Sequence, residues 1–194
     1  PDVALGMHIW NNMPAGTVAA LDGGCMAGVH EFEIEVVGKG GHAALPHQCI
    51  DPILIGSHIV TALQTIVSRN LSTLDRLVVS VCQFHSGTAF NIIPSEAVLR
   101  GTARMFSSRI AAQVPDQINR ICENVAKAFD ADVKIDYMIK LPPTINNDKV
   151  AAYARELIAD VTGAENLKLD AEPSMGGEDF SLILNEIPGA YLFL

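Results

Sequence analysis

Three glycines, a lysine and two histidines stand within ten residues, Gly38-Lys39-Gly40-Gly41-His42-Ala43-Ala44-Leu45-Pro46-His47. Glycine lets a backbone turn with positive φ or approach another group closely. Histidine donates, accepts or carries charge near neutral pH. A loop of this composition, held between two regular elements, is a place where chemistry sits. By residue type alone it is equally a tight turn carrying two solvated histidines.

The elements that would hold the loop are legible. Phe32, Ile34 and Val36 alternate with Glu31, Glu33 and Glu35 ahead of it, the pattern of a half-buried strand over residues 30–37. Behind it, Asp51 suits a helix N-cap and Pro52 the first helical position. Ile55, Ile59, Leu63 and Ile66 then recur at helical spacing up to Arg69-Asn70. Residues 76–85 and 96–106 read as strands, the second with Leu99, Gly101, Ala103 and Met105 on one face and Arg100, Thr102 and Arg104 on the other. Val114, Ile118, Ile121, Val125 and Phe129 mark a second helix, which must accommodate Pro115 if it begins as early as Ser108. A fourth strand over 133–141 completes the order β-α-β-β-α-β, a ferredoxin-like arrangement with both helices on one face of the sheet.

The flanks differ. Residues 3–10 and 17–21 read as short strands joined by a turn cluster. After Pro142-Pro143, Asn147-Asp148 caps a helix with Val150, Ala154, Leu157, Ile158 and Val161 on one face. Ser174-Met175-Gly176-Gly177-Glu178-Asp179-Phe180 opens a shorter helix, and the final residues read as a buried strand. The expected class is therefore α/β: a partial α/β body, residues 1–24 and 145–194, into which the ferredoxin-like module, 25–144, is inserted. The absence of a starting methionine and the apolar last residues make the chain read as a fragment of a longer protein.

Composition bounds the partners. The 194 residues carry 49% hydrophobic and 18% charged side chains with a net charge of −9, a folded chain rather than a disordered one. That charge argues against nucleic acid or an anionic membrane as main partner. Cys25, Cys49, Cys82 and Cys122 are scattered without Cys-x-x-Cys spacing, which reads as reduced thiols of a cytoplasmic protein. No apolar run reaches the length of a membrane span.

Several segments together resemble one family. They are Gly6-Met7-His8-Ile9, the loop 38–47, Ile50-Asp51-Pro52, Leu63 to Arg69, Gly87-Thr88-Ala89-Phe90-Asn91-Ile92-Ile93-Pro94, Gly101-Thr102-Ala103-Arg104 and Gly177-Glu178-Asp179-Phe180-Ser181. In this order they resemble the zinc-dependent aminoacylase and carboxypeptidase superfamily, in its branch of hippurate hydrolases, N-acyl-amino-acid amidohydrolases and auxin-conjugate hydrolases. The resemblance implies a catalytic α/β domain binding two metal ions, zinc first with manganese, cobalt or nickel as substitutes. It also implies a ferredoxin-like lid that makes a homodimer.

Residue by residue, it implies that His8 is a metal ligand, although a lone histidine is by type as readily a hydrogen-bonded core residue. It implies that His42 reaches a partner subunit's site and donates to the scissile carbonyl. Asn91 and Arg104 would hold the substrate carboxylate, a task that suits the planar guanidinium. The family's remaining ligands, in an upstream His-x-Cys-Gly-His-Asp motif, a Glu-Glu pair and a later histidine, are absent from this sequence, and Glu178-Asp179 belongs to a helix opening rather than to that set. The expected function is metal-dependent hydrolysis of the amide bond of N-acyl amino acids, with this chain alone inactive and binding zinc weakly. The alternatives are a ferredoxin-like dimerisation or ligand-binding module without catalysis and, among enzymes, a di-zinc dipeptidase or a succinyl-diaminopimelate-type deacylase.

Overall fold

The computed structural model describes residues 1–194. Along the chain run β1 (Ala4–His8), β2 (Ala19–Ala20), β3 (Gly23–Met26), β4 (Gly28–Val37), β5 (Gly41–His42), α1 (Pro52–Leu63), α2 (Thr65–Arg69) and β6 (Leu77–Ser86). They are followed by β7 (Ile92–Ile93), β8 (Glu96–Met105), α3 (Ser108–Lys127), β9 (Asp132–Leu141), β10 (Thr144–Asn146), α4 (Asp148–Thr162), α5 (Phe180–Glu186) and β11 (Gly189–Phe193). The chain divides into two compact units, one of His30–Arg104 and Ala112–Lys140, the other of Pro1–Val29, Met105–Ala111 and Leu141–Leu194.

In the first unit four long strands form a sheet in the order β6-β8-β4-β9. That order, with one helix after β4 and another after β8, is the split βαβ arrangement the alternation predicts. Phe32, Ile34 and Val36 of β4 and Ala97, Leu99, Ala103 and Met105 of β8 are buried. Gly101 leaves room for the Phe32 ring to cross the strand, where any Cβ would collide with it and with the Ser80 carbonyl. The opposite face pairs Glu33 with Arg100 at 2.5 Å, Glu35 with Lys134 at 2.9 Å and Glu31 with Lys140 at 3.5 Å. Exposed pairs of this kind add little stability each, but they favour one strand register over others.

Asp51 caps α1 by accepting from the N–H groups of Ile53 and Leu54, with Pro52 as the first helical residue. The helix expected to continue to Arg69-Asn70 breaks at Gln64. There the Gln64 N–H turns tightly onto Thr61, and the Thr65 hydroxyl takes the Ala62 carbonyl at 2.6 Å, competing with the helical ladder. The second long helix begins at Ser108 and runs through Pro115, which offers no N–H to the turn before it.

In the second unit β11 is central, pairing parallel with β1 and antiparallel with β2. All five residues of β11 are buried. The two N-terminal strands that the turn cluster connects are thus separated by the last strand of the chain. Asn147 caps α4, and its Val150, Ala151, Ala154 and Ile158 pack with Ala20, Ala190 and Leu192. Val161, expected on that face, lies in the last turn of α4 and is 83% exposed. With Leu157 it borders an apolar groove of about 310 Å³ against Leu5, Met7 and Leu192. Val3, Leu5, Met7 and Ile9 all lie exposed along the free edge strand β1.

Asn146 ties the unit together. Its amide donates to the carbonyls of Leu21 and Tyr191 and its oxygen accepts from the Tyr191 N–H at 2.7 Å. The pairing of β3 with β10 draws the segments around Cys25 and Thr144 into this unit. The four cysteines are unbridged, and burial pushes the thiols of Cys25 and Cys122 up to about 12. No helix is long and apolar enough to cross a membrane.

Candidate active site

His8 ends β1 at the carboxyl end of the parallel pair β1–β11, the edge of an α/β sheet where ligands gather. It is exposed, and its Nδ1 lies 2.6 Å from the Ile9 carbonyl. A carbonyl only accepts, so Nδ1 carries the proton and the neutral ring's lone pair stands on Nε2, the form that ligates a metal. The Trp10 ring meets the imidazole edge-on and itself stacks on Phe193 at 4.6 Å, which fixes the strand end. Beside it opens a cavity of about 500 Å³ lined by Trp10, Asn12, Lys168, Asp170 and Glu172 among others.

Glu178 stands within electrostatic reach of His8. Burial opposes its ionisation. The Tyr191 hydroxyl, Asp179 and the Phe180 N–H outweigh that penalty and hold its pKa below the usual value, and His8 adds to this when its ring is protonated. Burial, followed by the bond to Glu178, pushes the Tyr191 phenol up. The sequence gives no sign of this pair, because Tyr191 reads only as one member of an apolar strand.

In the other unit the glycine loop becomes a two-stranded ribbon. Gly41 faces Ile93 and His42 faces Ile92 across β5 and β7. None of Gly38, Gly40 and Gly41 has positive φ. Close approach requires them instead: a Cβ on Gly40 would stand 2.8 Å from the Ile93 carbonyl and one on Gly41 2.6 Å from Cys49 Sγ. The Ala43 N–H donates to the Asn91 carbonyl at 3.1 Å, joining the His42 turn to Asn91. The Ala44 N–H donates to His42 Nδ1 at 3.0 Å. Nδ1 is therefore unprotonated, and His42 presents an Nε2–H donor, the opposite tautomer to His8.

Arg104 is placed elsewhere. Its Nε donates to the Thr102 hydroxyl at 3.2 Å, which donates in turn to the His30 carbonyl at 2.8 Å. Asn91 and Ile92-Ile93 precede β8, whereas Arg104 is next to its last residue. Arg104 is eight strand steps beyond Glu96, roughly 25 Å. One chain brings His42 and Asn91 together and sets Arg104 at the far end. The remaining histidines are peripheral: His30 is buried, bonded to Tyr137 Oη at 2.8 Å and lowered by that burial, His58 stacks on Phe129, and His47 and His85 are exposed.

Nowhere do three or more His, Cys, Asp or Glu side chains gather so as to hold a metal ion. His8 has the right tautomer for one coordinate bond, but the residues of this chain do not close a metal site.

The profile of the peptidase dimerisation domain, M20_dimer, matches residues 27–134. This chain belongs to the M20 peptidase family. The M20 chain is 38% identical over 189 residues to the N-acetylcysteine deacetylase of Bacillus subtilis, covering 97% of itself and 49% of that protein. It is 36% identical to the hippurate hydrolase of Campylobacter jejuni, covering 95% of itself and 49% of the relative. The crystal structure of the Bacillus subtilis YXEP protein, a dinuclear metal binding peptidase from the M20 family, superposes with a TM-score of 0.81 at 31% identity, over 99% of this chain and 47% of that one. The M20 chain thus spans about half the length of the relatives it matches.

Proposed function

We propose that this chain is part of a metal-dependent amidohydrolase that cleaves the amide bond of N-acyl amino acids as a homodimer. The relatives named for N-acetylcysteine and hippurate, both N-acyl amino acids, support the substrate class. The dinuclear metal-binding relative supports a divalent metal, for which we favour two zinc ions, with manganese, cobalt or nickel as substitutes. From the four free, scattered cysteines we favour the cytoplasm as compartment. A bound metal would supply an activated water. In this chain His8 is its ligand.

The other residues divide the substrate between them. His42 donates its Nε2–H to the scissile carbonyl oxygen as negative charge builds there. Asn91 and Arg104 take the carboxylate, Arg104 through its fork. The observation that carries the reading is the separation of these groups. His42 and Asn91 share one ribbon, while Arg104 lies roughly 25 Å along β8, too far for all three to grip one small molecule from a single chain. Two copies related by a two-fold axis supply the complete set, His42 and Asn91 from one and Arg104 from the other. Within the 25–144 module, the compact unit of His30–Arg104 and Ala112–Lys140 would be the pairing lid, and the other unit, with 1–24 and 145–194, would belong to the catalytic body.

Subunit mixing tests it. In the full-length protein H42A and R104A are each expected to be nearly inactive. Their co-expressed heterodimer should recover about half the wild-type rate per dimer, because one of its two sites keeps both residues. Failure of the mixture to recover activity would place both residues in a site of one chain and overturn the composite arrangement.

A further inference from the structure

Phe90 sits at the tip of the loop between β6 and β7 with its side chain wholly exposed, at 102%. The loop that carries it is anchored. Ser86 Oγ donates to the Glu96 carbonyl at 2.6 Å, the Ile92 N–H turns back onto Ala89, and the Asn91 carbonyl takes the Ala43 N–H. Leaving such a ring in water forgoes most of the ~1.5–3 kcal/mol that its burial would contribute. Two more exposed apolar residues belong to the same ribbon and turn. Ile92 lies opposite His42, and Leu45 donates its N–H to the His42 carbonyl. The His42 Nε2–H donor and the exposed Asn91 thus belong to the same ribbon and turns as three outward apolar side chains. Small-molecule sites have this composition, with few placed polar groups in an apolar wall. Here the apolar side chains face outward from an arm anchored by those bonds.

We propose that Phe90, with Ile92 and Leu45, reads the amino-acid side chain of the substrate in the site of a second copy, and favours apolar side chains. This rests on the amidohydrolase reading above. His42 would mark the scissile carbonyl and Asn91 the carboxylate. The side chain branches from the carbon that bears the carboxylate, so the residue next to Asn91 meets it, while the acyl group lies beyond the carbonyl on the other side. An aromatic ring held in place loses little conformational freedom on contact, which suits it to discrimination.

The test uses the full-length metal-loaded protein and its F90A and F90L variants with N-acetyl-L-leucine, N-acetylglycine and N-benzoylglycine. F90A is expected to lower kcat/KM for N-acetyl-L-leucine relative to N-acetylglycine at least tenfold. It should leave the benzoyl-to-acetyl ratio on glycine within threefold, with the dimer intact by sedimentation. F90L, which keeps an apolar side chain, should stay within about threefold of wild type on that first ratio. An equal loss on all substrates, a change in the benzoyl-to-acetyl ratio instead, or dissociation of F90A to monomers would overturn the assignment. A wild-type protein that hydrolyses none of the three would overturn the amidohydrolase reading itself, and this proposal with it.

Discussion

Tyr191 Oη donates to Glu178 Oε2 at 2.5 Å, linking the central strand of the smaller sheet to the residue two before α5. Because Glu178 is more acidic folded than unfolded, its linkage contribution is complete above the ordinary carboxylate pKa of about 4.3 and disappears as pH falls through the lowered folded value. Thermal unfolding followed from pH 7 to pH 3 should show that loss in the wild type and a shallower one in Y191F. Removing the hydroxyl should destabilise by about 1 kcal/mol at neutral pH, since the carboxylate is partly solvated.

Zinc titration by calorimetry should find only weak binding to this chain, because nowhere do three or more His, Cys, Asp or Glu side chains gather to hold a metal ion. Tight binding at two sites would contradict that. In the full-length protein H8A should weaken metal affinity more than tenfold while leaving the melting temperature of the metal-free form unchanged, since the side chain is exposed.

Loss of the His42 donor should lower kcat about 10²–10³-fold, the usual effect of removing one preorganised oxyanion donor. H42A should fold normally, because the imidazole makes one bond, to the Ala44 N–H, in an exposed turn. Steady-state kinetics on full-length H42A checks both parts when read beside its unfolding curve.

Asn146 is 2% exposed and satisfies four partners on three segments. N146A should destabilise by about 2–4 kcal/mol in denaturant unfolding, since buried main-chain groups of Leu21 and Tyr191 lose their bonds. N146D should be at least as damaging, because a carboxylate cannot donate to those two carbonyls.

The alternating strands and the capped helices were legible because each depends on local periodicity. Phe32-Ile34-Val36, Asp51-Pro52 and Asn147 carry their own signals. The family segments around His8, His42 and Asn91 were legible as motifs. Long-range relations were not. Nothing local tells that Gly189–Phe193 inserts between Ala4–His8 and Ala19–Ala20, or that Gly41-His42 pairs with Ile92-Ile93, since two-residue strands have no period to read. The opposite tautomers of His8 and His42 depend on the Ile9 carbonyl and the Ala44 N–H, and only folding sets those positions. The break at Gln64 leaves no mark in the hydrophobic pattern, which runs on to Ile66.

β1 offers water an unpaired row of main-chain donors and acceptors, with Val3, Leu5, Met7 and Ile9 alongside. Such an edge is a template for adding strands. Purified on its own, this polypeptide should thicken into oligomers and then precipitate as its concentration rises, and a lysine in place of Met7 should keep it dispersed.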